Sequence, residues 1–528
     1  MYDGFRNSRS IRLKPSVMSL ASSMVETPSL PGSAIPVIGR ILDGARSRPD
    51  NTALVVRGRS MSYGELADRS CGLAAALALS DTTTAPVAVW ADRSETAYLG
   101  VLACLIAGRA FVPIGIRSPP LRNLRILALT GCRIFLARSD AGDEAHRLAR
   151  DAKLLHVSAT DAGTPCHTRG HAGPDTTAYI IFTSGSSGQP KGVAVSHGNL
   201  SAYVNNALVR HAIQPGDRCS QMFDMTFDLA VHDLLVTWSS GASLHVVPTE
   251  SLIAPGDFIR KHALTHWFST PSTAALMGRF GLLAPGCFPS LRVSLFCGEG
   301  LPAATAQNWA RAAPGSLIDN LYGPTEATVA IMGYRVPADV VRDPVPIGLP
   351  FPGQGAMVAD SALNPLPAGV EGDLILWGTQ LAQGYWQDAD LTSIQYPFVP
   401  TLNRRCYRTG DRAVFDTADG FLFRGRRDMQ VKILGHRVDL MEVEVVVRRI
   451  AGTESIAALA WPPGHSADGV IVFLGGKRTM SDAQLLIACR GELPPHMIPQ
   501  EIHWLESLPQ STSGKTDRQS LVAWRLIK

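Results

Sequence analysis

Helical and strand periodicities alternate along most of this chain. Residues 63–79 repeat apolar positions at helical spacing, whereas residues 87–90 (Val-Ala-Val-Trp) and 291–296 (Leu-Arg-Val-Ser-Leu-Phe) are short apolar strands. Such alternation, from about residue 35 to 425, predicts α/β layering with largely parallel sheets. No period of the kind that marks solenoids or propellers is present. Between residues 372 and 423 the texture changes to strand fragments punctuated by Gly378, Gly384, Gly410 and Gly420, which predicts a β-rich subdomain. A new strand, residues 429–434, follows Asp428, and the domain boundary is placed there. The remainder carries a helical stretch (440–450), a strand (470–474) and a second helix (481–492), the pattern of a small α+β lid. It ends in a polar loop, residues 510–518, whose Lys515 would enter a cleft only when such a lid closes. Three segments result: 1–35 an N-terminal extension, 36–427 the main body, and 428–528 the lid.

Composition narrows the class. A chain of 528 residues exceeds one ordinary core. Hydrophobic content of 45% and charged content of 18% describe a globular protein. Forty-nine lysines and arginines against 45 aspartates and glutamates give a net charge of +4, too small over this length to argue for nucleic acid. The nine cysteines form no C-x-x-C pair and no zinc spacing, so reduced thiols in a cytoplasmic enzyme are expected. No apolar run reaches membrane-spanning length. Residues 1–35 are rich in Ser and Arg, lack the apolar core of a secretory signal and are expected to be disordered.

The strongest chemical signal is an apolar strand that runs into a hydroxyl- and glycine-rich loop, residues 179–192. Gly185, Gly188 and Gly192 let backbone N–H groups turn toward an anion, Thr183, Ser184, Ser186 and Ser187 add hydroxyls, and Lys191 adds charge. A flexible Ser/Gly linker is the alternative, opposed by the flanking strand. The nucleotide P-loop is excluded, because its glycine before the lysine and hydroxyl after it are here Pro190 and Gly192. Farther on, Tyr322 offers a flat face for a base, Thr325 a hydroxyl and Glu326 a hard oxygen ligand for magnesium. Asp411, after a tight turn, is a fitting acceptor for ribose hydroxyls. Each of these short motifs alone reads equally as a surface turn. Together they describe a nucleotide triphosphate site with parts far apart in sequence.

In these loops the chain resembles the adenylate-forming enzymes, and within them the amino-acid adenylation domains of nonribosomal peptide synthetases. The resemblance covers residues 36–522 and includes 61–66 (Met-Ser-Tyr-Gly-Glu-Leu), 105–113 (Leu-Ile-Ala-Gly-Arg-Ala-Phe-Val-Pro), 372–378, 425–437, 493–499 and 513–518. It implies a large N-terminal domain of two αβ sheets plus a β-barrel-like subdomain, hinged to a small C-terminal domain. By motif position Asp428 would be the hinge, Asp411 the ribose ligand, Arg426 a second ribose or phosphate contact, Tyr322 the adenine platform and Glu326 the magnesium ligand. Lys515 would bridge the substrate carboxylate and the α-phosphate, and Gly435 would line the thiol's path after lid rotation. The implied cofactors are ATP and Mg2+. The implied reaction has two steps, adenylation and transfer to a thiol, and the lysine needed for the first would obstruct the second.

The resemblance also implies an acid-binding pocket. Alignment on residues 226–230 places Asp228 where a family aspartate binds the α-ammonium of an amino acid, with Asp224 as a competing register and an N-cap or surface aspartate as the structural alternative. The remaining pocket positions are Leu229, His232, Ser269, Leu295, Cys297, Leu321, Val329 and Ala330. They imply a compact, uncharged pocket for a small neutral amino acid, with some likeness to proline-loading enzymes. His232 is either a polar wall of that pocket or a satisfied core histidine. Ten residues after Arg518 leave no room for a carrier domain, so the expected partner is a separate phosphopantetheinylated carrier protein, with Arg448 and Arg449 expected to help docking. Gly115 and Ala389 depart from the family's usual Asp and Pro without touching the chemistry. The competing readings are an acyl- or aryl-CoA ligase, a D-alanine–carrier protein ligase and a nucleotide-binding regulator without catalysis.

Overall fold

A computed structural model describes residues 16–17, 23–30, 35–158, 172–184, 190–463, 467–510 and 516–527. Two large sheets form the body. In one, the order runs Gly384–Tyr385, Lys191–Ser196, Thr177–Thr183, Phe111–Ile114, Val87–Trp90, Ile134–Leu136 and Leu155–Val157, with the last five strands parallel. In the other, Leu317–Tyr322, Val293–Phe296, His266–Ser269, Arg218–Gln221, Ser243–Val246 and Thr52–Val56 run parallel, flanked by antiparallel edges. Parallel strands need both faces covered, which explains why so many are apolar throughout rather than alternating.

Helix Glu95–Ile106 shows how the layers join. After Glu95 every residue is buried, and its side chains share one apolar cluster with Leu54 and Leu244 of one sheet and Val87 and Phe111 of the other. A helix apolar on all sides belongs in an interior. Hydroxyl caps set the starts of neighbouring helices: Ser62 and Glu65 form a reciprocal capping box at Tyr63–Ser80, and Ser196 and Asn199 do so at His197–His211.

The β-rich texture after residue 350 becomes an antiparallel sheet built on Gln354–Ala359, Glu371–Gly378, Arg404–Asp416 and Gly420–Arg426. Its edge corrects the expectation of disorder at residues 23–26, within the 1–35 extension. Val25–Glu26 pairs with Gly355 and Ala356, Val25 is buried, and the Ser23 hydroxyl donates to the Val358 carbonyl at 2.8 Å. A two-residue strand that closes a sheet edge leaves no trace in average composition.

After Asp428 the chain builds apolar clusters of its own. A hairpin, Gln430–Ile433 with His436–Asp439, leads into helix Leu440–Ala451 and a three-stranded sheet of Ile456–Trp461, Gly469–Gly475 and Pro499–Leu505. Among the described residues no helix is long and apolar enough to cross a membrane, and the described cysteines are free thiols.

Candidate active site

The loops that leave the carboxyl ends of the parallel strands converge on a cavity of about 390 Å³, and the hairpin 430–439 closes its far side. This is where open α/β sheets place ligands. Ser184 follows Thr177–Thr183; Cys297 and Glu299 follow Val293–Phe296; residues 323–325 follow Leu317–Tyr322; all line the cavity.

Glu326, next to the wall residue Thr325, is fully buried and, like Lys191, does not itself line the cavity. Its Oε1 accepts from the Tyr385 hydroxyl at 2.8 Å and lies 3.8 Å from Lys191 Nζ, while Oε2 accepts from Arg437 Nη1 at 2.8 Å. Burial pushes its carboxyl up, but the Arg437 guanidinium and the Lys191 ammonium outweigh burial and bring it down to about 2. Glu326 is therefore an anion at any working pH. Lys191 also lies over the Tyr385 ring, 4.8 Å from its centroid.

Tyr322, Asp411, Arg426 and Asp428 line a second wall. One Asp411 oxygen accepts from the Tyr322 hydroxyl and the other from Arg426 Nη1. Arg426 also grips Asp428 through two parallel bonds of 2.7 and 2.8 Å and donates to the Thr409 carbonyl at 3.0 Å. Such a fork fixes the plane of the guanidinium. Burial opposes ionisation of Asp428, yet the bonds from Arg426 hold its carboxyl below the usual range.

Asp228, the first residue of the short helix Asp228–Val231, faces the same cavity with Leu229, Cys297, Leu321 and Thr325. Burial raises its carboxyl to about 6, against the pull of the Thr325 hydroxyl and the Lys432 ammonium. Asp224, the competing register, does not line the cavity; its Oδ1 accepts from the backbone and hydroxyl of Thr226 at 2.9 and 2.8 Å. The other five pocket positions lie behind the cavity wall. Leu295, Val329 and Ala330 are buried in the main apolar cluster. Ser269 accepts from Trp267 Nε1 at 3.0 Å and donates to the Thr270 carbonyl. His232 shares a 2.6 Å bond with the Tyr203 hydroxyl and packs edge-on against Phe268, and burial lowers its pKa to about 3. It is a neutral core histidine.

Sequence reasoning missed the groups that seat the hairpin. The Gly435 N–H donates to Glu299, which also accepts from Ser272 N at 2.9 Å. Ser184 donates to the Arg437 carbonyl at 3.0 Å and accepts from Asp439 N at 3.1 Å. Arg122 pairs with buried Glu442 at 2.5 Å. Half-buried Lys432 lines the cavity. Only the motif around Gly435 signalled any of this, since no local pattern marks a contact between distant segments. Gly185, Ser186, Ser187, Gly188 and Lys515 lie outside the described residues. Arg448 and Arg449 pair with Glu454 and Glu492.

Among the described residues no group of three or more His, Cys, Asp or Glu is placed to cage a metal. Glu326 nonetheless fits magnesium, which commonly takes one protein carboxylate and completes its shell with substrate phosphates and water. The Arg437 guanidinium occupies the cationic position that the carboxylate demands.

Residues 42–386 match the family model of AMP-binding enzymes. Over 507 residues the chain is 32% identical to the D-alanine--D-alanyl carrier protein ligase of Lacticaseibacillus rhamnosus, covering 91% of this chain and 97% of that protein. Against the phosphinothricin tripeptide synthetase PhsC of Streptomyces viridochromogenes it is 33% identical, spanning 92% of this chain and 44% of the synthetase. The structure is similar to the Vibrio cholerae adenylation domain AlmE in complex with glycyl-adenosine-5'-phosphate, with a TM-score of 0.84, 29% identity, and 93% and 98% of the two chains covered. It is also similar to an NRPS protein containing adenylation and PCP domains, with a TM-score of 0.81, 26% identity, and 94% and 84% covered.

Proposed function

The chain belongs to the AMP-binding enzymes, and on that premise we propose that it activates a small neutral amino acid with ATP and passes the aminoacyl group to the phosphopantetheine thiol of a carrier protein. The observation that carries this reading is that Asp228 opens into the same cavity as Tyr322, Thr325, Asp411 and Arg426. An aryl- or acyl-CoA ligase has no use for a buried carboxylate at the acid's α-carbon. The carrier is supported by relatives that are named carrier protein ligases.

A carboxylate is a poor acylating agent because its leaving group would be an oxide. Attack of its oxygen on the α-phosphorus of ATP expels pyrophosphate and leaves a mixed anhydride with AMP. Asp228 binds the α-ammonium and orients the acid. Tyr322 stacks on adenine, Asp411 holds the ribose hydroxyls, Arg426 contacts ribose or phosphate, and Thr183, Ser184 and Lys191 receive the triphosphate with residues 185–188. Glu326 would hold magnesium, which when bound would neutralise charge on the triphosphate. Residues 428–528 act as a lid hinged at Asp428 on a core of residues 36–427. In one lid position Lys515 bridges the carboxylate and the α-phosphate; in the other, the hairpin bearing Gly435 lines the route of the thiol.

Leu229, Cys297 and Leu321, none of them charged, line the cavity with Asp228, which supports a small neutral amino acid such as glycine, alanine or proline. D-Alanine is favoured within that set by the names of the relatives. Amino-acid-dependent pyrophosphate exchange with glycine, both alanine enantiomers, L-proline and aryl acids tests the reading. Exchange with the small amino acids supports it; exchange with amine-free acids alone refutes it.

A further inference from the structure

Two consecutive β-branched residues, Thr328 and Val329, have left-handed backbones, with φ of +57° and +69°. Branching at Cβ makes that conformation costly, and such strain persists only where the surroundings over-determine it. Both residues are buried, and they follow the single turn Thr325–Ala327.

The surroundings converge on Gln380, which is fully buried. Its Nε2 donates to the Ala330 carbonyl at 2.7 Å, and its backbone carbonyl accepts from the Thr328 hydroxyl at 2.6 Å, so it holds the turn on both sides of Val329. Gln380 is held in its turn. Its Oε1 accepts from Asn206 Nδ2 at 2.9 Å, and its N–H donates to Gln354 Oε1 at 3.1 Å. The strained turn presses on the cavity wall. Gly323 lines the cavity with Leu321, Tyr322 and Thr325, and a Cβ on Gly323 would lie 2.6 Å from Ala330 Cα and 2.7 Å from the Val329 carbonyl oxygen. Ile331 N also donates to the Tyr322 carbonyl at 2.9 Å. Backbone meets backbone here in a close-packed interior, so a displaced turn displaces the wall.

We propose that Gln380 is a positioning residue for the acid pocket: it holds the strained turn at Thr328 and Val329 and, through Gly323, fixes the wall that lines the cavity with Asp228. This deepens the proposed function and rests on its assignment of Asp228 to the amino acid. The nucleotide side of the same wall has an anchor of its own, the bond from the Tyr322 hydroxyl to Asp411. Loosening the turn therefore weakens binding of the acid more than binding of ATP.

Gln380→Met keeps the length of the side chain and removes both of its bonds. In pyrophosphate exchange, the KM for D-alanine, or for whichever acid of the panel the wild type activates, is expected to rise about fivefold, the equivalent of one net hydrogen bond, while the KM for ATP stays within about twofold. Asn206→Ala, a milder change that frees the Gln380 amide and leaves the turn untouched, moves the same KM in the same direction by a smaller factor. A merely structural role would lower the urea midpoint without separating the two KM values. Thr328→Gly relieves strain at one left-handed position. The loss of urea midpoint caused by Gln380→Met is therefore expected to be smaller in Thr328→Gly protein than in the wild type. An equal or larger loss there overturns the proposal, as does a KM for the acid that stays at the wild-type value or moves only in step with that for ATP. The urea comparison involves no substrate, so exchange with amine-free acids alone refutes the proposed function while the hold of Gln380 on the turn is still decided by unfolding.

Discussion

Asp228 is costly to the empty enzyme, and that cost is measurable. Its carboxyl is raised from 3.8 to about 6, chiefly by burial, with Thr325 and Lys432 recovering only part of the loss. Because the folded-state pKa lies above the unfolded one, the unfolded chain ionises first. The ligand-free fold loses stability as pH rises from about 4 to 6 and does not regain it above. Two pKa units correspond to about 3 kcal/mol at full ionisation, roughly half of which is already incurred at pH 5. Asp228→Asn removes this liability while preserving shape. In urea unfolding its stability advantage over wild type is expected to grow by about 1–1.5 kcal/mol between pH 5 and pH 8. The same substitution should abolish amino-acid-dependent pyrophosphate exchange. In the wild type, the KM for the amino acid should rise about tenfold per unit below pH 6, because the ammonium requires the ionised carboxylate. An advantage that does not change with pH, or a variant no more stable than wild type at pH 8, would refute the burial argument.

Gly435 has a φ of +83°, and a Cβ there would lie 2.4 Å from Thr270 Cγ2. Gly435→Ala is therefore expected to slow loading of a carrier in single-turnover assays by about tenfold or more, through strain of order 1–3 kcal/mol, while pyrophosphate exchange is kept. Lys515→Ala is expected to do the reverse, costing about 10²–10³ in adenylate formation while transfer from a supplied adenylate survives; equal damage to both steps would contradict the two-position lid. Reversing the charges of Arg448 and Arg449 together should slow carrier loading at low salt with no effect on exchange, and unchanged loading removes them from the docking surface.

The body of the fold was readable because each element carries its own periodicity. The apolar run before Ser184 is strand Thr177–Thr183, and the helix expected over 63–79 is Tyr63–Ser80, fixed by a capping box visible as Ser62 and Glu65. The cavity walls were readable wherever a motif is contiguous, as at Tyr322 to Glu326. What escaped depends on contacts between segments far apart in sequence. Glu299 lies 136 residues from Gly435 and Glu326 lies 111 from Arg437. His232 shows the converse limit. Its motif position pointed to the pocket, but the Tyr203 hydroxyl 29 residues earlier draws the ring into the core.

These distant pairs share one electrostatic logic. Asp228, Glu299 and Asp411 are buried around one cavity and Glu326 is buried just behind its wall, an arrangement that costs free energy unless charge is supplied to them. The hairpin supplies the missing charge: Arg437 reaches Glu326, and the Lys432 ammonium favours the ionised forms of Asp228 and Glu299. Burial in turn lowers the pKa of Lys432, so the lid bears a cost for entering as well. Lys432 and Arg437 thus set positive charge beside these carboxylates.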